Sequence, residues 1–169
     1  MGFRLIGAGL GRTLAGVAGA VLALVLASAP ASACRPDRIE LRGDFGVARF
    51  RVDVADTPAK RAQGLMHVAQ MPRMTGMLFV YDRPEPVRFW MKNTLIPLDM
   101  IFADETGTVQ RIHANAIPQD LTPIPGGDAI QYVLEINGGL AADFGFAPGD
   151  VMRHPAIAQD RAAWPCSPP

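Results

Sequence analysis

The 169-residue chain lacks most of the motifs that identify a reaction. It has no Gly-x-Ser-x-Gly elbow, no glycine-rich phosphate loop and no His-Glu-x-x-His pair. Serine-hydrolase, nucleotide-binding and zinc-protease readings therefore have no motif to rest on. The formal net charge is +0, with 16 Lys+Arg against 16 Asp+Glu. Without a basic stripe or a charge block, nucleic acid is not an expected partner, and long-range steering of a charged substrate is not on offer. Repeats and low-complexity tracts are absent, and no motif implies a cofactor. Only two cysteines are present, Cys34 and Cys166. Only one run, residues 14–27, is strongly apolar, and it stands at the N-terminus.

That run has the layout of a secretory signal. Arg4 and Arg12 precede it, small residues follow, and Ala31-Ser32-Ala33 fits the small-x-small cleavage rule. The uninterrupted run is shorter than the ~20 residues a spanning helix needs, so cleavage is expected in place of an anchor. Residues 1–33 are thus read as a signal peptide and the protein as exported, periplasmic or secreted, with no membrane span after cleavage. Cys34 would become the mature N-terminus. Two readings follow: a disulfide to Cys166 in an oxidising compartment, or a lipid anchor through Cys34, for which Ala31 stands where such sites usually carry Leu. The disulfide is the expected one.

Frequent Pro and Gly divide the remainder into short β-rich runs. Residues 47–54 alternate as a half-buried strand. Thr57 is placed to cap a helix that Pro58 starts, with Ala62, Leu65, Met66 and Ala69 on one face and Gly64 interrupting it, a sign of close packing. Residues 77–81 and 87–92 read as two paired strands across a turn at 82–86. Residues 98–103 and 109–113 form a hairpin turning at 104–107. Residues 118–128, with three prolines and two glycines, read as a loop or lid. A strand follows at 129–136, then a helix near 140–144 ending at Gly145, and a last strand at 151–154. The expected organisation is an N-terminal extension over 34–46, a β domain over 47–154 and a C-terminal tail over 155–169 held by Cys166.

Several of these pieces, taken in order, resemble the domain-of-unknown-function family 192. They are Ala55-Asp56-Thr57-Pro58 with Arg61 and Gly64-Leu65-Met66, then Gly76-Met77-Leu78-Phe79. The run Phe89-Trp90-Met91-Lys92-Asn93-Thr94-Leu95-Ile96-Pro97-Leu98-Asp99 follows, and after it Tyr132-Val133-Leu134-Glu135-Ile136-Asn137 and Pro148-Gly149-Asp150. The resemblance implies a mainly β, single-domain, jelly-roll-like sandwich or barrel with one or two short helices, common in exported proteins. It implies no activity, cofactor or catalytic residue.

The run from Phe89 to Asp99 sets Lys92, Asn93, Thr94 and Asp99 among large apolar side chains. Burying such groups costs several kcal/mol unless each finds a partner or a wet pocket. In a strand, Arg88, Trp90 and Lys92 would share a face, as would Val133, Glu135 and Asn137. A pairing of Lys92 with Glu135 or Asp99 beside Trp90 would make a polar pocket with an aromatic wall. Trp90, Lys92, Asn93, Thr94, Asp99 and Glu135, with Arg61 clamping a loop carbonyl or an acidic group, are the candidate ligand-binding residues for a small polar molecule or cell-envelope sugar. An enzyme reading makes Lys92, aided by Glu135 or Asp99, the centre of an envelope lyase or hydrolase, with His113 as a proton carrier. A third reading is a structural or interaction domain. Met66, His67, Met71, Met74 and Met77 have donors that suit Cu(I), but core filling is the commoner use of Met, and no metal site is assigned.

Overall fold

The computed structural model describes residues 34–166 and the first two residues, so the expected signal peptide lies outside the described residues. Seven strands run β1 Arg38–Gly43, β2 Gly46–Ala55, β3 Thr75–Phe89, β4 Leu98–Ala103, β5 Val109–Ala116, β6 Ile124–Asn137 and β7 Val151–Arg153. Two short helices, α1 Pro58–Gln63 and α2 Leu140–Phe144, complete the regular structure among the described residues. The strands form one sheet in the order β5-β4-β6-β3-β2-β1-β7, curled into a half-barrel. The fold is mainly β, as the sequence predicts. Its two edges meet at one end, where Thr108 bridges Val151 and the Met152 amide donates to the Gly107 carbonyl at 2.8 Å.

Neighbouring strands are antiparallel except β2 and β3, which pair in parallel from Arg51↔Thr75 to Ala55↔Phe79. A parallel pair needs a crossover, and α1 with the segment after it supplies one. Thr57 caps α1 by accepting from the Lys60 amide, and Pro58 stands at its start. The helix is shorter than expected. Gly64 ends it, with φ 49°, and a side chain there would meet the Phe79 ring at 3.2 Å. The close packing is present, and Leu65 and Met66 lie beyond the helix.

Both faces of the sheet are covered. The inner face gathers residues from all seven strands, among them Ile39, Phe50, Leu78, Ile101, Val109, Leu134 and Met152, under Leu140 of α2. The outer face, over β3, β4 and β6, gathers Phe79, Val87, Met100, Phe102 and Val133, with Leu65 and Met91 from the covering segments. Phe79, Phe89 and Phe102 meet edge to face at 5.0 and 5.7 Å. Such contacts add about 0.5–1.5 kcal/mol each beyond burial.

Three further expectations change. The two strands at 77–81 and 87–92 are one strand, β3, whose partner throughout is β6 and which ends at Phe89. Its pairing slips between Val80 and Arg88, where Pro84 and Pro86, lacking an N–H, are tolerated because the ladder is already broken. The expected loop at 118–128 is strand from Ile124 onward. The expected N-terminal extension carries β1, which pairs with both β2 and β7. Cys34 and Cys166 form a disulfide across a separation of 132 residues, their Cα atoms 5.3 Å apart. The chain-entropy model assigns about 5 kcal/mol to such a closure. Trp164 helps hold the tail, with Arg42 and Arg153 lying 4.4 and 4.2 Å from its ring centre.

Candidate functional site

Alternation along β6 sends Tyr132, Leu134 and Ile136 to the inner core and leaves Val133 and Glu135 on the outer face. Glu135 pairs in register with Met77 on one side and Met100 on the other, so an acid stands in an apolar row. Gly76 permits this close seating, because a side chain on it would lie 2.2 Å from the Glu135 carbonyl oxygen. Glu135 is 4% exposed. Among the described residues its carboxyl has no hydrogen bond and no ion pair, and its oxygens are not sealed off, since Glu135 lines an open cavity. Burial pushes its pKa up to about 8, so it carries its proton at neutral pH.

Glu135 lines a cavity of about 380 Å³. Residues 61–66 of α1 and its turn form one wall, Phe79, Tyr81, Arg88 and Phe89 of β3 another, and Trp90, Lys92 and Thr94 the rim. Arg61 is fixed: Nη1 donates to the carbonyls of Val80 at 2.8 Å and Asp56 at 3.1 Å, and the guanidinium lies 4.9 Å from the centre of the Tyr81 ring. Burial pushes the Tyr81 hydroxyl above its ordinary value, opposed by the nearby Arg61 charge. Trp90 is 50% exposed, with Lys92 Nζ 5.1 Å from its ring centre. The rim is tied on both sides. The His67 amide donates to the Asn93 carbonyl at 2.8 Å, and the Gln119 amide to the Thr94 carbonyl at 3.1 Å. Asn93 and His67 both have left-handed backbones, with φ of 55° and 65°. Such angles are uncommon outside glycine, and Asn adopts them most readily.

Of the residues expected at a site, Arg61, Trp90, Lys92, Thr94 and Glu135 converge on this cavity, and Asn93 and Asp99 do not. Asn93 shapes the rim, its side-chain amide 3.9 Å from the Met66 sulfur. Asp99 is wholly buried and accepts from the amides of Asn115, Gly139 and Ala141 at 2.8, 3.0 and 2.7 Å, which leaves nothing for Lys92. Neither expected ion pair, Lys92–Glu135 or Lys92–Asp99, forms. The Trp90–Lys92 contact does not come from strand alternation either, since β3 stops at Phe89 and both residues belong to the loop after it.

His113 sits on β5 opposite Met100 and does not line the cavity. Met71 and Met77 pack against the outer core, and Met91 is wholly buried within it. Two lining residues were absent from the sequence-derived set. Arg88 shares the expected Trp90 and Lys92 face but is not among the candidate ligand-binding residues. Tyr81 follows Met77 and Phe79 on the same face of β3, a parity the expected turn at 82–86 obscured.

Comparison with known proteins adds the family and the fold. The family model DUF192, described as Uncharacterized ACR, matches residues 39–154. A crystal structure of a protein of unknown function from Novosphingobium aromaticivorans is 40% identical, with a TM-score of 0.68, over 82% of this chain and 99% of that one. A candidate transcription regulator from Sinorhizobium meliloti is 39% identical, with a TM-score of 0.67, over 71% of this chain and 94% of that one. No curated protein matches.

Proposed function

The chain belongs to the DUF192 family, which assigns no chemistry, and from the geometry we propose that it is a small-molecule binding protein of the cell envelope. The observation that carries this reading is the protonated, unpartnered Glu135 inside a cleft with an exposed Trp90 at its rim. A carboxyl that opens on a cavity without a protein partner leaves its donor and acceptor sites free for a ligand group. The indole offers a flat face for a sugar-like ring, and the cavity volume suits a small polar molecule such as an envelope sugar. Export to an oxidising compartment belongs to the same proposal. The signal-like residues 1–33 and the Cys34–Cys166 bond support it over the lipid anchor.

A thermal-shift screen of the disulfide-bonded protein against sugars and envelope fragments tests the reading. A ligand at 100 times its Kd adds about 2.7 kcal/mol and raises Tm visibly. The shift should vanish in Trp90→Ala. A ligand that shifts wild type and Trp90→Ala alike would refute the cleft as the site, and no shift from any ligand favours an interaction domain. One observation favours an enzyme as second reading: a carboxyl that keeps its proton at neutral pH is suited to general acid catalysis. A lyase or hydrolase of this kind would use Glu135 with Lys92, without Asp99. Turnover of envelope fragments that is lost in Glu135→Gln would establish it.

A further inference from the structure

Resting on the reading of the cleft as a binding site, we propose that its ligand is an anion: a carboxylate-bearing molecule of monosaccharide size. Its acidic group is held by Arg61, Arg88 and Lys92, and its ring face lies on Trp90.

Charge distribution carries the first part. The chain as a whole is neutral, yet three cations line this one cavity, and none of them is in an ion pair among the described residues. Six cations elsewhere among the described residues are in ion pairs, as in Lys60–Asp56, Arg73–Asp143 and Arg49–Glu40, whereas Arg38, Arg42, Arg51, Arg83 and Arg111 are not. What marks the cleft is that three unpaired cations gather on one cavity. Among the described residues Glu135 is the one acid lining the cleft and is neutral below its pKa of about 8, while Asp56 beside Arg61 and Glu85 beside Tyr81 stand outside the lining. The cleft thus carries excess positive charge against low-dielectric walls, an arrangement that concentrates anions.

Geometry carries the second part. Both hydrogen bonds of Arg61 leave from Nη1, and its plane is set against Tyr81. Nε and Nη2 have no partner among the described residues, and that edge of a guanidinium matches a carboxylate with two parallel N–H donors. Arg61 is therefore held in place without being saturated. Glu135 in its protonated form supplies an O–H donor, and its lack of any acceptor leaves that donor for the ligand.

Uncharged Met77 of β3 and Met100 of β4 flank Glu135 in register. The titratable groups that share its cavity are Arg61 of α1, Tyr81 and Arg88 of β3 and Lys92 of the loop, with Glu85 of β3 acting on Tyr81 from outside the lining. Glu135 is the carboxyl in the lining, and the Tyr81 hydroxyl is pushed up by burial. Ionising Glu135 adds a negative charge beside the bound carboxylate. Affinity for an acid should therefore fall as pH rises through about 8, approaching tenfold per pH unit, whereas a neutral sugar should feel little change.

The experiment is calorimetric titration of the disulfide-bonded protein with D-galacturonate and D-glucuronate, each against its neutral counterpart, D-galactose and D-glucose, at a series of pH values. At least one acid should bind about tenfold or more tighter than its neutral partner at neutral pH. That preference should collapse in the double variant Arg88→Gln/Lys92→Gln, whose exposed positions leave the fold intact. Glu135→Gln should keep acid binding and flatten its pH profile. Equal binding of acid and neutral sugar overturns the anion assignment and leaves the binding-site reading standing. Acid preference that survives Arg88→Gln/Lys92→Gln overturns the assignment as well. If neither acids nor neutral sugars bind, the assignment falls together with the sugar-binding reading beneath it.

Discussion

Asp99 on β4 and Glu135 on β6 are buried carboxyls one register step apart, since Asp99 faces Ile136 and Met100 faces Glu135. Their surroundings are opposite. Asp99 collects three backbone amides and fastens the start of α2 and the end of β5. Glu135 collects none and opens on a cavity. Burial alone does not distinguish an acid that builds the fold from one that awaits a ligand. The number of donors already bound does: it assigns Asp99 to architecture and leaves the Glu135 carboxyl free for the ligand proposed above.

The contrast is sharpest in the largest expected effect. Asp99→Ala strands three backbone donors and should cost about 3–5 kcal/mol in urea unfolding. A loss below about 1 kcal/mol would erase the distinction. Glu135→Gln should act with the opposite sign. Between pH 4.5 and about 8 the unfolded chain has this carboxyl ionised while the folded protein keeps it protonated. Its raised pKa therefore lowers wild-type stability as pH climbs, with a limiting slope of about 1.4 kcal/mol per pH unit. The variant should lack that slope and be more stable at pH 7 by roughly 1–3 kcal/mol, which unfolding curves at several pH values would show. Arg61→Ala removes two charge-assisted bonds to carbonyls and should cost about 1–2 kcal/mol along with any acid binding. Smallest is Trp90→Ala. Half exposed, it should change stability by no more than about 0.5 kcal/mol while abolishing ligand shifts. A collapsed melting transition would make Trp90 a core residue.

Much of this contrast was legible in the sequence, though not its sign. Alternation along 132–136 puts Glu135 opposite the inner core, and the polar run at 89–99 contributes Trp90, Lys92 and Thr94 to the cavity lining. Residue types do not separate Asp99 from the pocket, because its partners are backbone amides 16 to 42 residues away. Strand β3 was split because Pro84 and Pro86 carry the same signature in a bulge as in a turn, and only the shared partner β6 separates the two. β1 went unread because Arg38–Gly43 is short and rich in charge, and it becomes a strand through pairing on both sides with β2 and β7. The helix cap at Thr57 and the 104–107 hairpin were legible because their signals are local.

The bond between Cys34 and Cys166 has a mechanical consequence. It closes the described chain into a covalent ring whose two exits lie side by side. A pull applied through those exits passes along the S–S bond and bypasses the seven-stranded sheet. Stretched between two attachments in an oxidising medium, the domain should extend hardly at all before covalent rupture. Reduced, it should yield by unzipping β7 from β1 and then β1 from β2, since those pairings would be the first to bear the load.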